Sequence, residues 1–151
     1  MDPIALIVST AAKTFYDVMK NEFKQAKNTA SLRKMFLDSL QETIDAAIER
    51  KNIPPPDRPA VERLLNKVLT EEELYQYCAQ YSEDIGFRFN ELLTKLNLKK
   101  HFLDPADIDF FKQELLNKLR QKLPDKYQNF LVEEIHRLLN KLLEKLPPSS
   151  P

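Results

Sequence analysis

The stretch Asp104-Pro105-Ala106-Asp107-Ile108-Asp109-Phe110-Phe111-Lys112-Gln113-Glu114-Leu115-Leu116-Asn117-Lys118-Leu119-Arg120-Gln121-Lys122-Leu123-Pro124 carries the signals that decide the fold. Asp104 and Pro105 are an N-cap and first-turn pair: proline has no N–H to lose where the helix has no acceptor to offer. Ile108, Phe111, Leu115, Leu119 and Leu123 then recur at helical spacing, and Pro124 stops the run.

The same grammar extends in both directions. Asp2-Pro3 opens a helix to about Lys27 with Ile4, Ile7, Val8, Ala11, Phe15, Val18 and Met19 on one face. A second, from about Ser31 to Lys51, buries Leu32, Met35, Phe36, Leu40, Ile44, Ala47 and Ile48. It ends before Pro54-Pro55-Pro56, an extended connector. Asp57 starts a third helix with Val61, Leu64, Leu65 and Val68 inward. Thr70 and Glu73 form a capping box for a fourth, carrying Leu74, Cys78 and Tyr81, unless this segment runs straight into the next. Ser82 opens a fifth with Phe89, Leu92, Leu93 and Leu96. After Pro124, Asp125 opens a last helix with Leu131, Ile135, Leu138, Leu139, Leu142 and Leu146; Val132 and Leu143 widen its apolar arc, as burial on two sides or pairing with a partner helix requires. The expectation is an all-α bundle of six or seven helices forming one domain over residues 1–146. The residues 147–151, Pro-Pro-Ser-Ser-Pro, read as a linker or tail.

Composition narrows the chemistry. Gly86 is the only glycine, so hairpins and phosphate-cradling loops lack the residue they depend on, and a nucleotide-binding loop is excluded. Lys plus Arg and Asp plus Glu number 23 each, which removes any overall field for nucleic acid or an anionic surface. Cys78 is the only cysteine and reads as a small buried hydrophobe. The N-terminus has an acid where a signal peptide carries positive charge, and its apolar run falls short of the roughly 20 residues that span a bilayer. A cytoplasmic protein is expected.

The two histidines, His101 and His136, lie in no nucleophile motif. Glu133-x-x-His136 has the spacing of a di-iron bundle ligand pair, but its partner motif is missing, and the helical wheel puts Glu133 near the far side and His136 at the edge of the buried arc. Of His101, Asp104, Asp107 and Asp109, which could touch a cation, Asp104 and Asp107 are explained as acids at a helix start. No metal, cofactor or catalytic residue is expected, and the chain reads as a non-enzyme.

Binding signals remain. Phe110 and Phe130 each lie about 140° from the centre of their own helix's apolar stripe, so each is either an exposed anchor or a bridge to a second helix. Arg137, Lys141 and Lys145 line the outer face of the last helix, preceded by basic residues from Lys118 to Lys126. Glu133, Glu134 and Glu144 share that face, and no aromatics interleave, which favours a solvated surface over a nucleic-acid stripe. Lys13, Lys20, Lys24 and Lys27 lie opposite the apolar face of the first helix, a membrane-binding pattern diluted by Asp17 and Glu22. Phe110, Phe130, Arg137 and Lys141 are therefore the candidate interaction residues. The expected partner is another protein, another domain of the same polypeptide or a second copy.

Met1-Asp2-Pro3-Ile4-Ala5-Leu6-Ile7-Val8, leading into a long amphipathic helix, together with the Pro-Ser tail, resembles the N-terminal helical domains that precede NACHT-type signalling NTPases in bacteria. The resemblance covers the first 20 or so residues and the architecture, and it carries no functional residue. It implies a signalling or defence protein in which this domain relays oligomerisation or recruits an effector.

Overall fold

A computed structural model of the protein describes residues 2–26, 29–68 and 82–123, with single positions between 125 and 144. Among the described residues there are five α-helices and no strand: α1 (Pro3–Ala26), α2 (Thr29–Lys51), α3 (Arg58–Val68), α4 (Ser82–Lys95) and α5 (Pro105–Lys122). A short 3-10 turn (Lys99–His101) links α4 to α5. The helical class follows the sequence periodicity; of the six or seven helices expected, five are delimited among the described residues. The capping box at Thr70 and the helix expected from it lie outside the described residues. Of the expected last helix, Asp125, Glu133, His136, Arg137, Asn140 and Lys141 are described as helical and Glu144 as a turn. The tail at 147–151 also lies outside the described residues.

α1 packs chiefly along α4, and α2 along α5, while α3 lies against both α2 and α4. Ion pairs give α2 and α5 their relative direction. Arg50 and Lys51 at the end of α2 reach Asp107 at the start of α5, whereas Glu42, a little over two turns earlier in α2, meets Lys122 at the end of α5. The two helices are thus antiparallel.

One apolar cluster joins all five helices. The predicted inner faces enter it: Ile4, Ile7, Val8, Ala11 and Phe15 of α1, Phe36, Leu40, Ile44, Ala47 and Ile48 of α2, Val61, Leu65 and Val68 of α3, and Phe89, Leu92 and Leu93 of α4. Phe rings tie the elements together. Phe15 and Phe36 join α1 to α2 with centroids 5.9 Å apart, and Phe111 lies 5.7 Å from Phe89 and 6.3 Å from Phe102, all tilted as aromatic quadrupoles prefer.

Gly86 sets the approach of α1 to α4. A Cβ at this position would overlap the carbonyl oxygen of Ala5 and the hydroxyl of Ser9, and would lie 2.9 Å from the Ala5 carbonyl carbon. Small residues on α1 make the matching surface. Ser9 Oγ donates back to the Ala5 carbonyl at 2.7 Å, so its buried hydroxyl is satisfied within its own helix.

Helix ends follow local rules. At α1, Asp2 Oδ1 accepts from the N–H groups of Ile4 (2.9 Å) and Ala5 (3.3 Å), as an N-cap should. Its other oxygen lies 2.5 Å from Lys99 Nζ, which fastens the 3-10 turn to the start of α1. Asp104 occupies the N-cap position of α5 with Pro105 next, but its side chain makes no capping hydrogen bond, so only half of the expected cap forms.

Two helices end on asparagine in the left-handed region, Asn52 (φ 55°) and Asn97 (φ 58°). In each case the following N–H reaches five residues back, Ile53 to Ile48 at 3.1 Å and Leu98 to Leu93 at 2.8 Å, while the asparagine N–H reaches three back, to Glu49 and Thr94, the paired bonding of a Schellman end. Ile53 and Leu98 also supply the apolar contact that accompanies this motif. Asn97→Val is therefore expected to lower stability by about 1–2 kcal/mol, because a β-branched residue is strained at positive φ, while Asn97→Gly holds or slightly raises it. Urea midpoints test the order Gly, Asn, Val; equal midpoints for Asn and Val would contradict it.

Candidate interaction surface

The residues singled out in the sequence do not form one site. Phe110 is half-buried against the core, and the Arg50 guanidinium lies over its ring at 4.9 Å. Its off-stripe position is explained by the neighbouring helix: α2 supplies a cation that covers the ring face. Phe130 lies outside the described residues. Arg137 and Lys141 are exposed on the outer face of the last helix, with Glu133 exposed and His136 half-buried beside them, as the wheel places them. In the basic run that starts at Lys118, Lys122 is engaged by Glu42. Over its described part the apolar face of α1 enters the core, with Ile4, Ile7, Val8 and Ala11 wholly buried.

Asp107 needs more than its explanation as a helix-start acid. It is 6% exposed, with Oδ1 2.5 Å from Arg50 Nη1 and Oδ2 3.0 Å from Lys51 Nζ. One carboxylate thus joins the C-terminal end of α2, where cations are favoured, to the N-terminal turn of α5, where an acid is favoured. Arg50 spans this carboxylate and the Phe110 ring. Burial pushes the Asp107 carboxyl up, but the hydrogen bonds and charges of Lys51 and Arg50 together outweigh it, holding the group below the usual aspartate range.

A carboxyl lowered in the folded state contributes stability above its unfolded pKa, near 3.9, and loses that contribution as pH falls toward the lower folded value. Asp107→Asn is accordingly expected to cost about 1–2 kcal/mol near neutral pH, with the gap from the parent closing below about pH 4. Urea melts at the two pH values measure it; a gap that does not change with pH would show that the ion pairs contribute nothing.

α5 carries a second buried charge. Lys112 is 7% exposed, with Nζ 3.3 Å from Asp109 Oδ1 and 3.2 Å from Asn140 Oδ1, so the last helix is tied to α5 by a hydrogen bond to a buried ammonium.

Two open clefts flank α3. One, of about 500 Å³ against α2, is lined by Arg33, Lys34, Asp38, Arg58 and Glu62 over Leu37. Its charges are largely satisfied internally: Lys34 pairs with Asp38 at 2.8 Å, Arg58 with Asp45 at 2.9 Å, and Arg33 donates to the Asn66 side chain and carbonyl at 3.2 Å. The other, of about 220 Å³ against α4, is lined by Lys67, Arg88, Glu91 and Lys95 over Leu64, Val68 and Leu92. Both are open to solvent.

Among the described residues two large apolar side chains stand in solvent, Phe87 at 62% and Leu103 at 56% exposure. The wheel test that singles out Phe110 would also have found Phe87, which lies on the far side of α4 from Ile85, Phe89 and Leu92. Leu103 sits between the 3-10 turn and α5, where no period exists to read.

Among the described residues no three His, Cys, Asp or Glu side chains gather as a metal ion would need, and no helix is long and apolar enough to cross a membrane. Comparison with family models, with curated proteins and with solved structures gives no match to this chain.

Proposed function

We propose that this chain is a helical protein-interaction module that docks a segment of another protein through its surface. The observation that carries the reading is the exposure of Phe87 and Leu103 on a bundle whose other described large hydrophobic side chains are buried or half-buried. An aromatic or leucine side chain held in water loses the roughly 1.5–3 kcal/mol that burial would contribute, and such residues are typical anchors of interfaces. The likeness of the first 20 or so residues to domains preceding NACHT-type NTPases extends the proposal. In that setting the module lies N-terminal in a larger signalling or defence protein, and its partner is an effector or another domain of the same polypeptide.

A photoreactive phenylalanine analogue placed at Leu103, and separately at the exposed Gln113 as a control, tests the docking reading in cells that naturally make the protein. A discrete protein adduct from position 103 and none from the control is expected. Identical adduct patterns at the two positions would defeat the proposal. Elution from heparin at low salt separates this reading from nucleic-acid binding.

A further inference from the structure

We infer that the α3–α4 cleft is the docking site, and that its partner is an acidic amphipathic peptide segment carrying an apolar side chain between carboxylates. The inference rests on the docking reading above and adds to it the place and the chemistry of the partner. Among the described residues, the cleft has three cationic groups, Lys67, Arg88 and Lys95, against one carboxylate, Glu91. Among the described lining residues this is an excess of positive charge, carried by Lys67 and Lys95, in a chain whose acids and bases balance overall.

Lys67 and Lys95 are exposed and make no ion pair among the described residues, whereas the basic groups Lys34 and Arg58 of the α2–α3 cleft are held by carboxylates. The two clefts therefore differ in the quantity that selects a charged partner. Arg88 Nη1 lies 3.5 Å from the carbonyl of Val68 at the end of α3, which holds the guanidinium across the two helices.

The floor is apolar. Val68 and Leu92 are each 2% exposed, and Leu64 is half-buried beside them. Along α4, Phe87, Glu91 and Lys95 are spaced four residues apart and share one line of the helix surface, so exposed Phe87 continues the rim. A polyanion would meet Glu91 and gain nothing from the floor or from Phe87. A helix bearing an apolar anchor with flanking carboxylates engages all three features, and a cleft of about 220 Å³ takes one or two of its side chains.

The test uses a fluorescein-labelled peptide of about four helical turns, with leucine at every third and fourth position and glutamate elsewhere. Its lysine-for-glutamate counterpart and an oligothymidine of similar charge are run beside it. Fluorescence anisotropy is expected to show saturable binding of the glutamate peptide that weakens with salt, and no binding of the lysine peptide. Lys67→Glu with Lys95→Glu should weaken it by at least about tenfold with an unchanged melting temperature, since both positions are exposed, while Lys100→Glu leaves the affinity within about twofold.

Amide shifts on adding the peptide should cluster at Leu64, Val68, Phe87, Arg88 and Leu92. Equal binding of the oligothymidine, equal affinity for parent and double variant, or shifts centred elsewhere would overturn the assignment. If it fails while the adduct at Leu103 persists, this cleft is wrong and docking stands; if the adduct also vanishes, the function itself is wrong.

Discussion

Phe111→Ala is expected to remove about 3–5 kcal/mol of folding stability, the largest loss of any single truncation among the described residues. Phe111 is wholly buried, and its ring meets Phe89 of α4 on one side and Phe102 beyond the 3-10 turn on the other. Truncation forfeits the transfer of the ring, both aromatic contacts and the dispersion contacts of its neighbours, and it leaves a cavity that three separate elements would have to move to fill. Phe111→Leu should cost less, about 1–2 kcal/mol, because most of the volume is retained. Chemical denaturation gives both values. A loss below about 1 kcal/mol for alanine would mean that α4 and α5 are not packed through this ring.

Substitution at Gly86 is expected to be the second most damaging. Alanine normally gains about 1 kcal/mol over glycine inside a helix. Here its methyl group would overlap the Ala5 carbonyl oxygen, which is backbone and has nowhere to move, as well as Ser9 Oγ. Separating α1 from α4 is the only relief, and overpacking of this kind costs about 1–3 kcal/mol or more. Gly86→Ala should therefore be destabilising by about 2 kcal/mol despite its better helix propensity, and Gly86→Leu by more than about 3. Adding Ser9→Gly to Gly86→Ala removes one of the two overlaps and should restore only part of the loss. A stabilised Gly86→Ala protein would show that the two helices do not touch at this point.

These two residues mark what could and could not be seen in the sequence. Phe111 was legible as core because burial on one face imposes a period on each helix separately, and α1, α2, α3 and α4 were legible for the same reason. The role of Gly86 was not, because it depends on which helix lies alongside, and periodicity within one helix does not specify its neighbour. That Gly86 is the only glycine tells, from composition alone, only which loops the chain lacks.

Asp107 and Lys112 show the same limit. Both sit at positions where a charged residue on a helix normally faces solvent, and both are buried because α2 supplies Arg50 and Lys51, and the last helix supplies Asn140. Phe110 departs from its helix's stripe because Arg50 of α2 covers it, a pairing no single-helix wheel contains. The asparagine ends were within reach, since an asparagine followed by an apolar residue after a helical run is a C-terminal signal; Asn97-Leu98 and Asn52-Ile53 both fit it.

Of the proposed surface, Phe87 was readable and the cleft was not. Lys67 and Lys95 lie 28 positions apart in sequence, and only the packing of α3 on α4 brings them to one groove.

Native-state amide hydrogen exchange tests most directly the claim beneath all of this, that the interior is one sealed cooperative core and that function is left to the surface. The slowest amides should fall together in Ala5–Phe15, Phe36–Ile48, Ile85–Leu93 and Phe111–Leu119, all opening with the free energy of global unfolding. Exchange of α1 or α4 through separate, cheaper openings would contradict it, since their apolar faces would then be available to solvent and to ligands without unfolding.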